Sequence, residues 1–338
     1  MRFKPPVFAS QDASRAVQTI EVPRIELRSS RMGKVLDVLF RYSLLICALS
    51  VLSIMALFFY ELTSRSQLSI SKFGFRFFTG NTWDPVSGDF GAMPFIYGTL
   101  VSSLVALALA TPLAVGVAVF VTELCPRSLR GLISFTVELL AAIPSVVYGL
   151  WGIFVLAPLL RTYVEPWLAK YLAWTGFFTG PAYGIGMLAA SVILAIMIVP
   201  IIASITREVL IAVPQNQREA VLALGATRWE MVRMAVLRNA RAGIMGGIIL
   251  GLGRAIGETM AVTMVIGNRP EVAKSLFAPG YTMASVIANE FSEASDDLYL
   301  SALVEIGLAL LIVTVIVNAC ARLLVWSITR SQGARSHA

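Results

Sequence analysis

The sequence predicts an all-α membrane protein of six transmembrane helices, and three observations carry that prediction. Hydrophobic residues make up 57% of the 338 and charged residues only 14%, against about a quarter charged in a soluble domain. Mean hydropathy is +0.78. Apolar stretches recur along the chain, each long enough to cross about 30 Å of hydrocarbon. Finally, the basic residues are distributed unevenly between alternate connections. The segment before Tyr42, the C-terminal segment from Arg322 onward and the second–third and fourth–fifth connections hold 19 of the 27 Lys and Arg, and the intervening loops hold 7. That bias places both termini and the 206–241 segment in the cytoplasm. It also accounts for the net charge of +7 without nucleic acid, because the basic residues flank apolar spans and form no soluble basic domain.

Residues 1–34 read as a basic cytoplasmic tail with Arg2, Lys4, Arg15, Arg24, Arg28 and Arg31. They lack a small-residue cleavage site after a short apolar core, so no cleaved signal peptide is expected. The first span is expected from about Tyr42 to Tyr60. A polar loop with Phe73, Phe77, Phe78 and Trp83 follows, and Asp84-Pro85 and Ser87-Gly88 mark turns in it. The second span runs from about Ile96 to Val121. A short basic connection leads to the third, about Leu132 to Ala157, where Pro144 follows Glu138 closely enough to kink or interrupt the helix. Residues 158–183 read as an outer loop with Trp167 and Trp174, residues suited to the headgroup belt. The fourth span covers about Gly184 to Ile205.

After the basic 206–241 segment, the fifth span covers about Ala242 to Ile266. An acidic outer loop with Glu290, Glu293, Asp296 and Asp297 precedes the sixth, about Ala302 to Trp326. Residues 329–338 are a short basic tail that holds the single histidine, His337, a surface residue on this reading. Cys47, Cys125 and Cys320 are scattered and form neither a disulfide framework nor a metal spacing.

Two stretches carry chemistry. From Asn216 to Val236, apolar and charged residues alternate as in two short amphipathic helices, broken at Gly225-Ala226-Thr227. Such a projection is either a docking surface for a partner or an interfacial helix resting on lipid. The fifth span places Arg254 and Glu258 four residues apart, on one helix face, where they can pair. A charge at mid-membrane costs roughly 2.5–3.5 kcal/mol on insertion scales. Such a residue faces a bundle interior or a polar path. The two either neutralise each other, or the guanidinium offers its fork to an oxyanion while the carboxylate holds it. Gly243, Gly247 and Gly251, and likewise Gly253 and Gly257, are spaced by four, which lets helices approach closely. The chain contains no G-x-x-x-x-G-K-[ST] phosphate loop and no nucleophile–base constellation. It is therefore read as a transport subunit and not an enzyme, binding no cofactor of its own.

The run Glu219-Ala220-Val221, Gly225 and Leu237 resembles the EAA loop of binding-protein-dependent ABC importer permeases. It departs at Val221, at Ala235 in place of a branched aliphatic, and at Arg238 in place of proline. The resemblance implies the type I architecture and a cytoplasmic coupling loop at 206–241. It gives Glu219, Ala220, Gly225 and Leu237 a role in ATPase coupling. Gly253 to Val262 resembles the Gly-Arg-Ala-x-Gly-Glu-Thr-Met-Ala-Val run of the phosphate-specific permeases of the Pst system. The stretch around Glu138 and Ala141 to Gly152 is similar to the same family. Within the Pst pair, Thr259 to Val262 and Trp83-Asp84 resemble the PstC type and not PstA. The substrate-path candidates are then Arg254, Glu258, Glu138, Thr259, Ser145 and Tyr148. Glu138 either faces and tunes Arg254 or is a structural partner to backbone and hydroxyl groups.

The resemblance implies four partners besides the bilayer: a second, PstA-like permease, a PstB-like ATPase dimer that uses ATP and Mg, a PstS-like extracytoplasmic phosphate-binding protein, and phosphate itself. It places the chain in the bacterial inner membrane. Three other readings remain open at this stage: import of a different oxyanion, a secondary anion carrier driven by protons or sodium, and a subunit that signals phosphate status.

Overall fold

The computed structural model describes residues 31–333, with side chains described over 35–326. Most of the expected tail at 1–34, the end of the tail at 329–338 and His337 lie outside the described residues. Helix α1 (Arg31–Arg65) begins well before the expected first span and ends after it. Up to Leu57 the chain forms a unit by itself. There every large apolar side chain from Val35 onward is exposed, the pattern of a helix surrounded by hydrocarbon.

The second unit begins at Phe58. Two short helices, α2 (Gln67–Phe73) and α3 (Arg76–Thr79), lead to a hairpin of β1 (Trp83–Asp84) and β2 (Asp89–Phe90). Trp83 pairs with Phe90 and Asp84 with Asp89. Asp84 accepts from Ser87 and the Val86 amide, contacts that hold its carboxyl below the usual carboxylate range. The central helices are α4 (Met93–Val119), which ends in a wide π turn at Phe120–Leu124, and α9 (Met187–Ile211). These run in the same direction, because Tyr97 and Val101 cluster with Met187 at one end and Ala118 with Leu210 at the other. Ala106, Ala110 and Ala114 repeat every four residues and are buried against Ile193, Ile198 and Ile202, so small side chains bring α4 close to its neighbour.

At the hairpin end, Phe77, Trp83, Phe90, Phe95, Tyr281 and Tyr299 form one aromatic core. Glu290 joins it from α14 (Met283–Glu290) and accepts from Trp83 Nε1 at 2.8 Å and from the Tyr299 hydroxyl at 2.6 Å. A Cβ at Gly98 would lie 2.1 Å from the Tyr281 carbonyl oxygen, so α4 has room there for glycine alone. The final helix, α15 (Asp297–Gly333), is longer than the expected 302–326 at both ends.

Among the described residues six helices are long and apolar enough to cross a membrane, but two of the expected spans are broken. The stretch 132–157 is divided between α5 (Arg127–Ala142) and α6 (Ser145–Trp151). Ile143 and Pro144 are extended between them, with ψ of 129° and 141°, because proline has no amide to donate and excludes the helical conformation from the residue before it. The helical run from α6 then passes through two π turns, α7 (Ala157–Leu159) and α8 (Glu165–Leu172), and ends in a single turn at Ala173–Thr175. Most of the loop expected at 158–183 is therefore helical. Buried Glu165 ties it back by accepting the Gly184 amide at 3.0 Å.

The expected fifth span, 242–266, is likewise two pieces. Helix α12 (Arg238–Gly257) stops where Glu258 turns extended, and α13 (Met260–Val265) resumes after Thr259. The fourth helix continues past Pro200 and beyond the expected Ile205 to Ile211.

Candidate functional site

Two polar layers and one exposed loop make up the candidate machinery. The mid-bundle layer is set by the register of α12 on α9. Cβ positions at Gly243, Gly247 and Gly251 point at Val209, Ile205 and Ile202 in turn, so the two helices pack antiparallel through this glycine face. The Gly253 and Gly257 positions meet nothing within 4 Å among the described residues. Within this chain the close helix approach expected of all five glycines is seen at Gly243, Gly247 and Gly251.

Gly253 and Gly257 flank Arg254, whose helix face is open together with Leu250, Gly257 and Met260. Arg254 Nη2 lies 3.4 Å from Glu258 Oε2, and the side chains are 49% and 7% exposed. The predicted pairing is present in an asymmetric form: a buried carboxylate steadies a guanidinium that keeps free donors on its open side. The helix break that follows supplies the surroundings. A Cβ at Gly149 would touch Ala261 and Met264, so the first turns of α6 and α13 lie side by side and the two breaks share a level.

Ser145 and Thr259 are half-buried at the starts of these segments. The Thr259 hydroxyl lies 3.4 Å from the Gly257 carbonyl and its own carbonyl accepts from the Thr263 hydroxyl at 2.8 Å. Tyr148 does something different from what was expected. It is buried, and its hydroxyl donates to the Leu140 carbonyl at 2.8 Å, which occupies an acceptor freed by the proline break.

Glu138 belongs to another layer. Arg207 Nη2 of α9 donates to its Oε1 at 2.9 Å, and the two line one crevice with Ser134 and Ser204. Of the two roles open to Glu138, facing Arg254 or partnering backbone and hydroxyl groups, neither is the contact made: its partner is the Arg207 guanidinium. By the α9–α12 register, Arg207 stands opposite residue 245, about nine residues below Arg254, or roughly 13 Å at 1.5 Å per residue. The chain reaches the level of the α12–α13 break only at α6, and Glu138 precedes α6 by seven residues, roughly two helical turns. Arg207 was missed in the sequence because a cation near a helix end reads as a topology marker.

The exposed loop is built around α10 (Gln215–Ala223). Gly225 closes it at φ +83° and donates its amide to the Leu222 carbonyl at 3.0 Å, a left-handed turn natural to glycine. Helix α11 (Arg228–Met231) follows, opened by Thr227 in a capping box with Glu230. The pattern Thr-x-x-Glu was legible as such a start. Donation from Thr227 lowers the Glu230 carboxyl below its usual range. The second of the two expected short helices is not separate: a π turn at Val232–Leu237 carries α11 straight into α12.

Glu219, Ala220, Leu222 and Trp229 are exposed, and Leu224 is 89% exposed. Leu237 instead packs inward against the cluster of Leu210, Met231 and Val236. It supports the loop and does not belong to its outer face. Ala235, where the ABC permease pattern has a larger aliphatic, is buried, and its carbonyl accepts from Asn239 at 2.7 Å.

Residues 110–330 match the family described as "Binding-protein-dependent transport system inner membrane component". The phosphate transport system permease protein PstC of Mesorhizobium japonicum is 46% identical over 317 residues, covering 91% of this chain and 97% of that protein. The PstC of Pasteurella multocida is 43% identical over 303 residues, covering 88% and 94%. Among solved structures, a chain of a bacterial ABC transporter involved in the import of the acidic polysaccharide alginate aligns with a TM-score of 0.55. It is 17% identical and covers 87% of this chain and 99% of its own, a likeness of fold.

Proposed function

Because this chain belongs to the binding-protein-dependent transport inner-membrane component family, among the PstC phosphate permeases, we propose that it is the membrane subunit that conducts inorganic phosphate in an ATP-driven importer. The near full-length relationship to PstC proteins carries this reading. The chemistry at Arg254 agrees with it. A planar guanidinium with donors on its open side suits the tetrahedral oxygens of phosphate, and Glu258 holds it in place. The helical run that starts at Ser145 adds backbone amides at the same level, where a helix N-terminus favours anions.

On this reading the chain is multi-pass in the bacterial inner membrane with both termini in the cytoplasm. It pairs with a second permease. A binding protein delivers phosphate at the hairpin end, and a separate ATPase dimer binds ATP and Mg and docks on the exposed face of 219–229. Closure of the ATPase pair displaces α10, and α4 and α9, which share its supporting core, move with it. The Arg254 layer is thereby exposed to each side in turn. Glu138–Arg207 forms a second charged layer on the cytoplasmic side. The exposed loop favours this reading over a secondary carrier, which needs no such handle.

The substrate assignment is tested by competition. Uptake of labelled phosphate by the assembled system is expected to fall in excess unlabelled phosphate and to persist in equal excesses of sulfate or molybdate. Sulfate competing as strongly as phosphate would reassign the substrate.

A further inference from the structure

The sequence marks Glu219 as the residue of interest in the exposed loop, but a three-fold polar contact between that loop and two helices of the bundle is made one residue earlier. Arg218 points inward from α10. Its Nη1 donates to the Val213 carbonyl at 2.9 Å, and its Nη2 donates to the Leu210 carbonyl at 2.7 Å and to Glu123 Oε1 at 3.1 Å. The side chains of Arg218 and Glu123 are 15% and 10% exposed.

Leu210 lies in the last turn of α9 and Val213 two residues beyond it, so the fork grips the C-terminal end of that helix, where carbonyls are not all satisfied within the helix. Glu123 belongs to the π turn that ends α4. The same turn is held from its other side, where Arg130 of α5 donates to the Thr122 carbonyl at 2.7 Å. One guanidinium thus ties the loop helix to two of the helices that build the core.

Beyond the fork, α10 meets the bundle through a hydrogen bond from Asn239 of α12 to Gln217, which joins it to α12 but not to α4 or α9, and through apolar Val221 packed near Leu210 and Met231. Apolar packing is non-directional and permits sliding. Three hydrogen bonds from a rigid planar fork fix position and angle together.

We propose that Arg218 is the positioning residue that transmits motion from the loop to the membrane helices. Its contacts with Glu123 and the end of α9 make α10, α4 and α9 move as one body. A displacement delivered to the exposed face of 219–224 is then passed to α4 and α9, and through the glycine face of α12 to the Arg254 layer. Without the fork, α10 moves under the ATPase while the helices lag. This rests on the ATP-driven importer reading.

The test uses the complete transporter in proteoliposomes, with phosphate moved per ATP hydrolysed as the readout. Glu123→Gln, Arg218→Lys and Arg218→Gln are compared with the unaltered chain at matched assembly. Arg218→Gln is expected to retain hydrolysis while phosphate per ATP falls about tenfold or more, the size of effect that follows loss of charge-assisted hydrogen bonds. Arg218→Lys, which keeps the charge without the fork, and Glu123→Gln, which keeps the carbonyl contacts, are expected to fall by roughly threefold.

If Arg218→Gln fails to assemble, the two milder variants decide. A wild-type ratio in them overturns the proposal, as does a loss of stability with the ratio unchanged. If the unaltered complex shows no ATP-dependent uptake, the importer reading itself fails. If it is coupled and the variants are equally coupled, only the role of Arg218 fails.

Discussion

Replacing Arg254 by glutamine is expected to reduce phosphate uptake by about a hundredfold or more. Glutamine keeps most of the length and one donor group but removes the charge and the fork. A hydrogen bond to a charged group contributes about 1.5–3 kcal/mol, and each 1.4 kcal/mol is a factor of about ten. Losing a bidentate contact to an oxyanion therefore accounts for an effect of this size.

The same substitution has a second consequence, because Glu258 is 7% exposed and Arg254 is its ion-pair partner. Breaking a buried pair on one side is strongly destabilising, by about 3–5 kcal/mol where burial is complete, and the open side of Arg254 moderates this. The double variant Arg254→Gln, Glu258→Gln removes that liability. It is expected to assemble at least as well as the single variant and still not transport. Uptake within about threefold of the unaltered protein in the double variant, a small fraction of the change that losing one charged hydrogen bond predicts, would remove Arg254 from the substrate path.

The second large effect is expected at Gly225. Its φ is +83°, whereas proline is confined to about −65°. Proline would also delete the amide that donates to Leu222. It would force the preceding residue toward an extended conformation, yet Leu224 ends α10 at φ −82° and ψ 9°. Three requirements of the turn fail together.

A Cβ at Gly225 meets nothing within 4 Å among the described residues, so the damage stays in the loop and the bundle still folds. Gly225→Pro is expected to reach the membrane at normal levels and to abolish substrate-stimulated ATP hydrolysis. Gly225→Ala, which meets only the left-handed penalty of about 1–2 kcal/mol, is expected to be far milder. A Gly225→Pro protein that co-purifies with the ATPase and shows stimulated hydrolysis would refute the docking role of this loop.

What the sequence revealed and what it concealed follow from the range of the interactions involved. Apolar length and the proline rule are local. The membrane class, the interruption at Pro144 and the Arg254–Glu258 pair could all be read from residues a few positions apart. The break at Glu258-Thr259 could not, since neither residue is a helix breaker; beyond it α13 packs against α6 at Gly149, a contact between distant parts of the chain. The Arg207–Glu138 and Arg218–Glu123 pairs join residues 69 and 95 positions apart, and only the assembled bundle selects them.

Gly251 and Gly253 are two residues apart, about 200° around a helix of 3.6 residues per turn, so the two glycine sets lie on different faces. The glycine spacing already contained that division between the packed side of α12 and the open side that presents Arg254.

The claim on which everything else depends is that this chain conducts phosphate under the drive of ATP. The direct measurement is uptake of labelled phosphate into proteoliposomes that hold this chain with its permease and ATPase partners, with binding protein outside and ATP inside. Uptake is expected to require both ATP and binding protein, and to be unaffected when ion gradients are collapsed. Uptake that ignores ATP and follows an imposed proton or sodium gradient would contradict the account.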